Sequence, residues 1–307
     1  MATIFIDGSA GTTGLRIRER LAARRDITLL TLPEEQRKDA AARCEMIDRA
    51  DVAFLCLPDA AAKEIVEMVG DCKTVIIDTS TAHRVNPAWA YGFPELKGRR
   101  EQIAASCRIA NPGCHASGFI ALTAPLVGAG LLPADAALTC FSLTGYTGGG
   151  KSMIAAYESE GRDPLLDAPR MYALSQSHKH LPEMTAITGM TTLPVFCPIV
   201  SDFPCGMEVN IPLFAHQIKG TPAQIKEIYA DYYRGGVVRY ADAADESGFL
   251  SASAMAGRDD MQISVNGNDE RIVLTARFDN LGKGASGAAI QNMNISLGID
   301  ETAGLSL

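Results

Sequence analysis

Short apolar runs rich in β-branched residues alternate with helical stretches along roughly the first hundred residues of the chain. The runs predicted to be strands are residues 3–6, 27–32, 52–57 and 74–77. The predicted helices are residues 15–23, an Ala- and Arg-rich segment before residue 52, and residues 60–69, for which Asp59 is a candidate cap. Strands that alternate with helices at this spacing predict βαβ units and a parallel, doubly wound sheet.

The pattern of apolar positions changes after about residue 114. A helix of small residues is predicted over residues 116–127, followed by a strand over 137–143 and a glycine-rich turn over 145–150. Later apolar runs, which long loops separate, are predicted as strands at residues 192–199, 207–214 and 271–278. This order is typical of an α+β domain with a mixed or antiparallel sheet.

The two patterns together predict an α/β chain with two domains, which a length of 307 residues accommodates. Residues 1–113 are expected to form a Rossmann-type, doubly wound parallel sheet, and residues 114–284 the second, α+β domain. The segment 285–307 begins with a predicted helix at 285–297, which we expect to return to the first domain.

The charge balance excludes some classes of partner. A formal net charge of −8 provides no basic face for nucleic acid or for an acidic membrane, so neither is expected as a partner. No apolar run is long enough to span a bilayer, and the N-terminus lacks the features of a signal peptide. We therefore expect a cytoplasmic protein that holds anionic ligands with local arginine and lysine side chains.

Eight cysteines are scattered along the chain, and no two of them have C-x-x-C spacing. The five histidines do not fall at ligand spacing from them, so no metal site is expected. In a reducing compartment, a special cysteine would be a thiol with a chemical task. Cys56, Cys107 and Cys140 adjoin apolar or small residues and are predicted to lie in the core.

Three glycines, Gly8, Gly11 and Gly14, stand between the first predicted strand and the first predicted helix. At such a junction the glycines permit a tight turn and a close approach of pyrophosphate, and the helix N-terminus offers N–H groups to anionic oxygens. The spacing differs from the usual G-x-G-x-x-G, and an ordinary tight turn is the alternative. The position at the first βα junction favours a dinucleotide site.

The residues after the second predicted strand bear on the choice between NAD and NADP. An NAD site normally has an acidic residue at the end of this strand, whereas here the strand ends Thr31-Leu32-Pro33. The following Glu34-Glu35 pair could serve NAD, and Arg37 and Lys38 could bind the 2′-phosphate of NADP. A solvated charged loop is the third interpretation, and NADP is the preferred one.

The segment Asn111-Pro112-Gly113-Cys114-His115 contains the candidate nucleophile. A thiol of ordinary pKa, about 8.5, is only a few per cent thiolate at neutral pH. Cys114 lies between Pro-Gly and the start of an Ala- and Ser-rich helix, where the positive end of the helix dipole favours the thiolate. Burial as a small apolar side chain is the alternative, which we expect for the other cysteines.

The segment His178-Lys179-His180-Leu181-Pro182-Glu183 places two imidazoles and a cation beside a proline turn. One imidazole could deprotonate Cys114 and later protonate a departing group or an oxyanion. An exposed polar loop is the alternative. The remaining histidines, His83, His115 and His216, are predicted to be structural.

These segments together resemble the N-acetyl-γ-glutamyl-phosphate reductase family of arginine biosynthesis, particularly its shorter form, over nearly the whole chain. The matching segments are residues 8–14, 78–84, 91–96, 111–114, 145–151, 178–183 and 279–287. Aspartate-semialdehyde dehydrogenases share the architecture and chemistry, but their cysteine lacks the preceding Pro-Gly, so that family ranks second. One departure is His115, where the family often has an aromatic residue, and we expect no loss of chemistry from it.

The resemblance implies an NADP-binding Rossmann domain, a catalytic domain that also dimerises, and a cysteine nucleophile. By motif, Cys114 is that nucleophile, and His180, the histidine of His-x-Pro-Glu, is the acid/base, with His178 as the alternative. The implied cofactor-binding residues are Gly8, Ala10, Gly11, Thr12, Thr13, Gly14, Arg37, Lys38, Pro58, Ser80 and Gly287. The candidates for binding the phosphate or carboxylate of the substrate are Arg84, Asn111, Lys151 and His178, with loop packing as the alternative for the first three.

The resemblance further implies a homo-oligomeric oxidoreductase, a dimer or tetramer, whose substrate is a small acyl phosphate. The expected reaction reduces N-acetyl-γ-glutamyl phosphate with NADPH through a thioester on Cys114, and aspartyl and aminoadipyl phosphates are the alternative substrates. A nucleotide sensor without catalysis would have no use for Cys114 beside a His-rich segment. A thiol redox or metal protein would need paired cysteines.

Overall fold

In the computed structural model, which describes all residues from Met1 to Leu307, the chain divides into two compact units. The first comprises Met1–Pro112 and Ala285–Leu305, and the second comprises Gly113–Gly284 and Ser306–Leu307. Gly113 and the last two residues, which the sequence pattern places in the first domain, therefore belong to the second unit. Ser306 is held there by two hydrogen bonds with Asp259. The N–H of Asp259 donates to the Ser306 carbonyl at 2.7 Å, and the N–H of Ser306 donates to Oδ2 of Asp259 at 2.8 Å.

The first unit is built on a six-stranded sheet. Its strands are β1 (Ala2–Asp7), β2 (Ile27–Leu30), β3 (Val52–Leu55), β4 (Val75–Asp78), β5 (Ala90–Tyr91) and β6 (Arg108–Ala110). Its helices are α1 (Thr12–Ala22), α2 (Ala40–Asp48), α3 (Asp59–Val69), α4 (Arg99–Ala105) and α9 (Gly287–Ser296). The strand order is β2-β1-β3-β4-β6-β5 and every pair is parallel, which confirms the predicted Rossmann-type sheet.

Both faces of this sheet are buried, because alternate residues of each strand pack on opposite sides. Ile4 packs with Met293 of α9 on one face, and Phe5 packs with Met46 of α2 on the other. Strands β2 and β3 flank β1 on opposite sides. The carboxyl ends of β1 and β3 therefore border the switch point at which doubly wound sheets bind ligands.

The second unit is built on a mixed seven-stranded sheet. Its strands are β7 (Thr139–Gly145), β8 (Arg170–Met171), β9 (Val195–Ser201), β10 (Met207–Phe214), β11 (Val238–Tyr240), β12 (Met261–Gly267) and β13 (Arg271–Phe278). Its helices are α5 (Cys114–Gly128), α6 (Gly150–Glu158), α7 (Leu181–Thr188) and α8 (Pro222–Tyr232). The order is β11-β12-β13-β10-β7-β9-β8, with parallel pairs only at β7–β9 and β11–β12. This confirms the predicted α+β character.

Helix α5 packs closely on one face of the second sheet. A Cβ atom at Gly118 would lie 2.5 Å from Cγ2 of Val209 on β10, so glycine is needed for this approach. On the opposite face, Phe141 of β7 and Val195 of β9 are 40% and 54% exposed. The sheet therefore has one face covered by helices and one face that is open at these strands.

The sequence pattern missed several elements. Strand β12 has apolar residues only at alternate positions, and β5, β8 and β11 have two or three residues each, too few for a pattern. Helix α8 was also missed, although the sequence contains two signals for its start. Thr221 and Gln224 form a capping box, and Pro222 is the first residue of the helix. Among the helices of both units, none has the length and apolarity needed to cross a membrane.

Candidate active site

Cys114 is the first residue of helix α5, and Gly113 is its N-cap. The N-cap glycine has no side chain to cap the helix, and no acidic residue lies in its first turn. The N–H groups at the helix start therefore place partial positive charge beside the sulfur, which favours the thiolate. Because most of α5 is buried, packing fixes the position of this helix end.

Glu183 holds the backbone directly before the nucleophile. Its Oε1 accepts the N–H of Gly113 at 2.8 Å, and the residue is only 1% exposed. Glu183 lies in the first turn of α7, whose N-cap is His180. One short helix thus carries both this anchor and the candidate acid/base. No role for Glu183 is predicted from the sequence, although its place as the acidic residue of the His-x-Pro-Glu motif is a signal for one.

The imidazoles of His178 and His180 lie next to each other beside the start of α5. Their ring centroids are 4.8 Å apart. Each ring also lies close to that of His115, the residue after Cys114, at centroid distances of 6.0 Å for His178 and 5.5 Å for His180. The structure therefore brings the predicted nucleophile and both candidate acid/base residues into one cluster.

The surroundings of His178 fix where its proton resides. The backbone N–H of His180 donates to Nδ1 of His178 at 3.3 Å, so the neutral ring has its hydrogen on Nε2. Burial lowers the pKa of His178, and the positive charge of Lys179 lowers it further. His178 is therefore a neutral ring that donates through Nε2.

His115, predicted to be structural, is buried and bonded at both ring nitrogens. Its Nδ1 lies 2.6 Å from Oγ of Ser142 on β7, and its Nε2 lies 2.7 Å from the hydroxyl oxygen of Tyr172. Burial lowers the pKa of His115 to about 3, and the charges of His178 and Lys179 act in the same direction. The sequence analysis singled out neither Ser142 nor Tyr172, which belong to none of its motifs.

The other cysteines differ from Cys114 in their surroundings. Burial raises the pKa of the Cys140 thiol and raises that of Cys56 to about 12, so both stay protonated at neutral pH. Of the eight cysteines, only Cys140 is fully buried, and the other seven, including Cys56, are partly or largely exposed. The prediction that Cys107 lies in the core is wrong, because this residue follows the end of α4 and is exposed.

The glycine loop lies at the carboxyl end of β1, against that of β3. Gly8 has a φ of +81°, and a Cβ atom there would lie 2.2 Å from the carbonyl oxygen of Cys56, so only glycine fits. Gly11 is the N-cap of α1, which has no side-chain cap and no acidic residue in its first turn. Gly14 lies in that turn, where a Cβ atom would lie 2.6 Å from the carbonyl oxygen of Gly8. The first N–H groups of α1 suit an anionic group such as pyrophosphate.

A cavity of about 590 Å³ opens beside this loop. Gly8, Ala10, Arg37 and Lys38, all predicted to bind the cofactor, line it. Arg18 of α1 also lines the cavity, and the sequence analysis missed it because it is one of several charged residues on the exposed side of an ordinary amphipathic helix. The cations Arg18, Arg37 and Lys38 therefore fit a ligand that has a second anionic group besides its pyrophosphate.

Asp7, the last residue of β1, forms a buried ion pair with Arg43 of α2 at the same cavity. Nε and Nη2 of Arg43 both lie 2.8 Å from Oδ2 of Asp7. Burial raises the pKa of Asp7, and the hydrogen bond to Arg43 limits the rise. Arg43 is thus committed to Asp7, which leaves Arg18, Arg37 and Lys38 as the exposed cations of the cavity.

The remaining predicted cofactor residues lie elsewhere in the first unit. Thr12 and Thr13 begin α1, and Pro58 is the N-cap of α3, just beyond β3. Ser80 follows β4 and donates its hydroxyl hydrogen to Oδ2 of Asp78 at 2.8 Å. Gly287 begins α9. None of these residues lines the cavity beside the glycine loop, although Pro58 and Ser80 share the carboxyl edge of the sheet.

Two of the predicted substrate residues are buried in the first unit. Arg84 donates from Nε to the carbonyl of Asn111 and from Nη2 to the carbonyl of Thr79, both at 3.0 Å. Nδ2 of Asn111 donates to the carbonyl of Ala285, and its Oδ1 accepts from Asn292. Both side chains therefore form hydrogen bonds with other groups of the protein.

Lys151, the third predicted substrate residue, lies in the second unit. It is the second residue of α6, directly after the glycine-rich turn, and it is exposed. The remaining histidines, His83 and His216, have other partners. His83 bonds Asp78 at 2.7 Å and stacks on Trp89, and His216 stacks on Phe214. Among all side chains, no group of three or more His, Cys, Asp or Glu is arranged to hold a metal ion.

Comparison with known families matches both units. Residues 33–106 match the family described as "Semialdehyde dehydrogenase, NAD binding domain", and residues 114–280 match "Semialdehyde dehydrogenase, dimerisation domain". Among curated relatives, the N-acetyl-gamma-glutamyl-phosphate reductases of Brucella anthropi and Brucella ovis are 48% and 47% identical over 305 residues. These alignments cover 96% of this chain and 98% of each relative.

Solved structures show the same fold at low sequence identity. Aspartate semialdehyde dehydrogenase II of Vibrio cholerae, in complex with ASA, has a TM-score of 0.71 at 13% identity, and the match covers 97% of this chain and 98% of that one. Aspartate semialdehyde dehydrogenase of Candida albicans, with NADP, has a TM-score of 0.67 at 14% identity and coverages of 96% and 99%.

Proposed function

The chain belongs to the N-acetyl-γ-glutamyl-phosphate reductases, within the semialdehyde dehydrogenase family, and on this premise we propose that it catalyses their reaction. The substrate is N-acetyl-γ-glutamyl phosphate and the product is N-acetylglutamate 5-semialdehyde, an intermediate of arginine biosynthesis. The observation that supports this best is the position of Cys114 at the start of a buried helix. The nucleophile lies beside two histidines, and Glu183 holds the backbone just before it.

The reaction proceeds in two steps at Cys114. Its thiolate attacks the acyl carbon, a C–S bond forms, and the bond to the phosphate oxygen breaks, so that phosphate leaves with the electron pair. The thioester is then reduced to a thiohemiacetal, which collapses to the aldehyde and returns the sulfur as thiolate. The nicotinamide cofactor, when bound, supplies the hydride. The covalent intermediate replaces one difficult step by two easier ones.

Backbone N–H groups at the start of α5 are proposed to stabilise the developing oxyanion. The first N–H groups of a helix have no partner within it, and the N-cap of α5 is a glycine, which has no side chain to cap them. These N–H groups form the positive end of the helix dipole. Fixed donors of this kind stabilise negative charge more in the transition state than in the ground state.

His180 is proposed as the acid/base, and the geometry of His178 supports this choice. A general base needs a ring nitrogen that can accept a proton. Nδ1 of His178 already accepts the N–H of His180, and its Nε2 has the hydrogen, so neutral His178 is a donor. We therefore assign His178 the role of donating a hydrogen bond to the substrate, and His180 that of moving the proton.

Lys151 is proposed as the contact for an anionic group of the substrate, because it is an exposed cation directly after the glycine-rich turn. Arg84 and Asn111 are buried and bound to protein groups. We propose that Asn111 acts by fixing the segment that leads to Cys114. Arg84 holds the carbonyl of Asn111 in the same segment, and we propose the same positioning role for it in place of the predicted substrate contact.

NADP is the proposed cofactor rather than NAD. Gly8, Gly11 and Gly14 are assigned to the pyrophosphate, because α1 begins there without a side-chain cap. Arg37 and Lys38 are assigned to the 2′-phosphate, because both are exposed cations that line the adjoining cavity. Arg18 is added to this group on the same ground. An exposed set of three cations suits a phosphate better than a ribose diol, for which a carboxylate is usual.

The second unit is proposed to form a homodimer through the open face of its sheet. This apolar sheet face is defined by neighbouring residues of β7 and β9, which are Phe141, Leu143, Val195, Cys197 and Ile199. They point to the same side, because Phe141 pairs with Cys197 and Leu143 with Ile199. An exposed apolar surface on a domain of this kind is typical of an interface between subunits.

The cytoplasm is the proposed location. All eight cysteines are thiols, which is typical of proteins in a reducing compartment. The family's place in amino-acid biosynthesis is consistent with this.

Turnover of purified protein with N-acetyl-γ-glutamyl, aspartyl and aminoadipyl phosphates tests the proposed function. We expect NADPH oxidation with the first substrate at a kcat/KM at least about tenfold above the others, a difference of about 1.4 kcal/mol in transition-state binding. A preference for aspartyl phosphate would instead assign the chain the activity of aspartate-semialdehyde dehydrogenase. Failure with all three would contradict the proposal.

A further inference from the structure

A buried chain of hydrogen bonds runs beside the nucleophile, from Ser142 through His115 to Tyr172. The two distances, 2.6 Å and 2.7 Å, are those of well-formed bonds. Ser142 is fully buried and His115 is 3% exposed, whereas Tyr172 is half-buried. His115 directly follows Cys114 in α5. The chain therefore ends, through Tyr172, in the cluster that surrounds the reacting sulfur.

Two proton arrangements are compatible with a neutral His115. In the first, Nδ1–H donates to Ser142 and the Tyr172 hydroxyl donates to Nε2. In the second, the Ser142 hydroxyl donates to Nδ1 and Nε2–H donates to the oxygen of Tyr172. A neutral imidazole has one donor and one acceptor nitrogen, so these are the only complete arrangements.

The second arrangement is favoured because of Ser142. Its hydroxyl makes no other hydrogen bond, so in the first arrangement a fully buried hydroxyl hydrogen would have no acceptor. Leaving a buried donor unsatisfied is costly. In the second arrangement the hydrogen that needs a new partner is that of Tyr172, which is only half-buried. There it can reach the site or solvent.

We propose that His115 is a positioning residue, which anchors the oxygen of Tyr172 through Nε2–H and turns the hydroxyl hydrogen into the cluster that contains Cys114. In that position the phenol donates to the negative charge on the sulfur. This rests on the proposed function only in taking Cys114 as the reacting group. A hydrogen-bond donor to a thiolate lowers the pKa of the thiol.

The charges around Tyr172 agree with this role. Burial raises the pKa of Tyr172, and the negative charge of Cys114 raises it further, so the phenol retains its hydrogen. The other titratable groups of the cluster are His178, Lys179 and His180. The ring of His178 lies 6.0 Å from that of Tyr172, and Glu183 engages the N–H of Gly113.

Two measurements on the full-length protein test the proposal. The ¹⁵N chemical shifts of the His115 ring report its tautomer, and we expect hydrogen on Nε2 and none on Nδ1 near neutral pH. The pH dependence of alkylation by iodoacetamide, followed on the peptide that contains Cys114, gives the pKa of this thiol. We expect Tyr172→Phe to raise it by about one unit, which slows alkylation about tenfold below that pKa.

The matched control is Tyr233→Phe, which removes a buried phenol that donates to the carbonyl of Ala121 in the same helix. It should leave the thiol pKa unchanged. His115→Phe should raise the pKa of the Cys114 thiol as Tyr172→Phe does. If His115→Phe does not fold, the tautomer of His115 in the wild-type protein and the thiol pKa in Tyr172→Phe still test the proposal. A His115 tautomer with hydrogen on Nδ1, or an unchanged pKa in Tyr172→Phe, would overturn the proposal. Because neither readout needs turnover, failure of the proposed activity would be seen separately.

Discussion

His115 shows at the scale of one residue how a buried side chain makes stability depend on pH. Its pKa is lowered from 6.5 to about 3 by burial, so between these values the unfolded chain binds one proton more than the folded chain. Stability should therefore fall as the pH drops from 7, and this residue alone should contribute a loss of about 2 kcal/mol at pH 5. In His115→Phe, urea unfolding at the two pH values should show a loss smaller by that amount. Equal losses in both proteins would contradict the assigned state of the ring.

The cavity cations permit a second test at the same scale. Replacing both Arg37 and Lys38 by Ala should weaken NADPH binding about tenfold or more, because each phosphate contact is a charge-assisted hydrogen bond. NADH has no 2′-phosphate, so its affinity should stay nearly unchanged. Binding of both cofactors followed by fluorescence titration measures this, with Arg25→Ala, an exposed arginine outside the cavity, as the control. If NADH affinity falls equally, the two residues do not recognise the 2′-phosphate.

A functional residue can be predicted from the sequence when it stands in a recognisable motif. Cys114 and His180 are predicted as nucleophile and acid/base because they stand in characteristic segments, and the structure brings these segments together. Tyr172 and Ser142 could not, because they are common residues that the fold brings to His115 from distant strands and loops. Their hydrogen bonds with His115 form only because the fold brings the three residues together, and no sequence pattern indicates this.

At the scale of elements, the close packing of α5 on the second sheet sets the position of Cys114. Gly118→Ala should improve helix propensity by about 1 kcal/mol, but the added methyl group would lie 2.5 Å from Cγ2 of Val209 and 2.7 Å from its Cβ. Overpacking of this kind costs about 1–3 kcal/mol, so we expect a net loss of free energy of unfolding in a denaturant titration.

Gly128→Ala, at the last position of the same helix, is the matched control. A Cβ atom there would have no neighbour within 4 Å, so only the propensity gain remains, and stability should be equal or higher by up to about 1 kcal/mol. A stabilised Gly118→Ala would mean that the sheet yields at Val209. The position of Cys114 would then be less firmly fixed than described.

Elements could be predicted from the sequence where their burial produces a simple pattern. Strands β1, β3 and β4 are buried on both faces and appear as continuous apolar runs. Strand β12 has the alternating pattern MQISVNG, and the edge strands β5, β8 and β11 are too short for any period. Their formation depends on neighbouring strands, which are far away in sequence.

At the scale of the whole molecule, the apolar sheet face of the second unit predicts the oligomeric state. The wild-type protein should be a dimer, and Phe141→Glu combined with Val195→Glu should yield monomers, because two buried carboxylates per subunit would lack partners. Size-exclusion chromatography with light scattering measures the mass. Met68→Glu, at a position on α3 that is 51% exposed, is the control and should leave the mass unchanged. A Phe141/Val195 variant that remains dimeric would place the interface elsewhere.

The division into two units could be predicted because the sequence pattern itself changes near Cys114 and again near residue 285. The placement of Ser306 could not, since it depends on hydrogen bonds with the backbone and the carboxylate of Asp259, which is distant in sequence.

The covalent step is the centre of the account, and mass spectrometry tests it most directly. The enzyme is mixed with N-acetyl-γ-glutamyl phosphate without NADPH, quenched in acid and digested. We expect about one phosphate released per active site and one acetylglutamyl group on the peptide that contains Cys114. The adduct should disappear when NADPH is added before the quench, and it should be absent in Cys114→Ala. Reduction of the substrate by Cys114→Ala, or an adduct on another residue of the wild-type enzyme, would contradict the thioester mechanism.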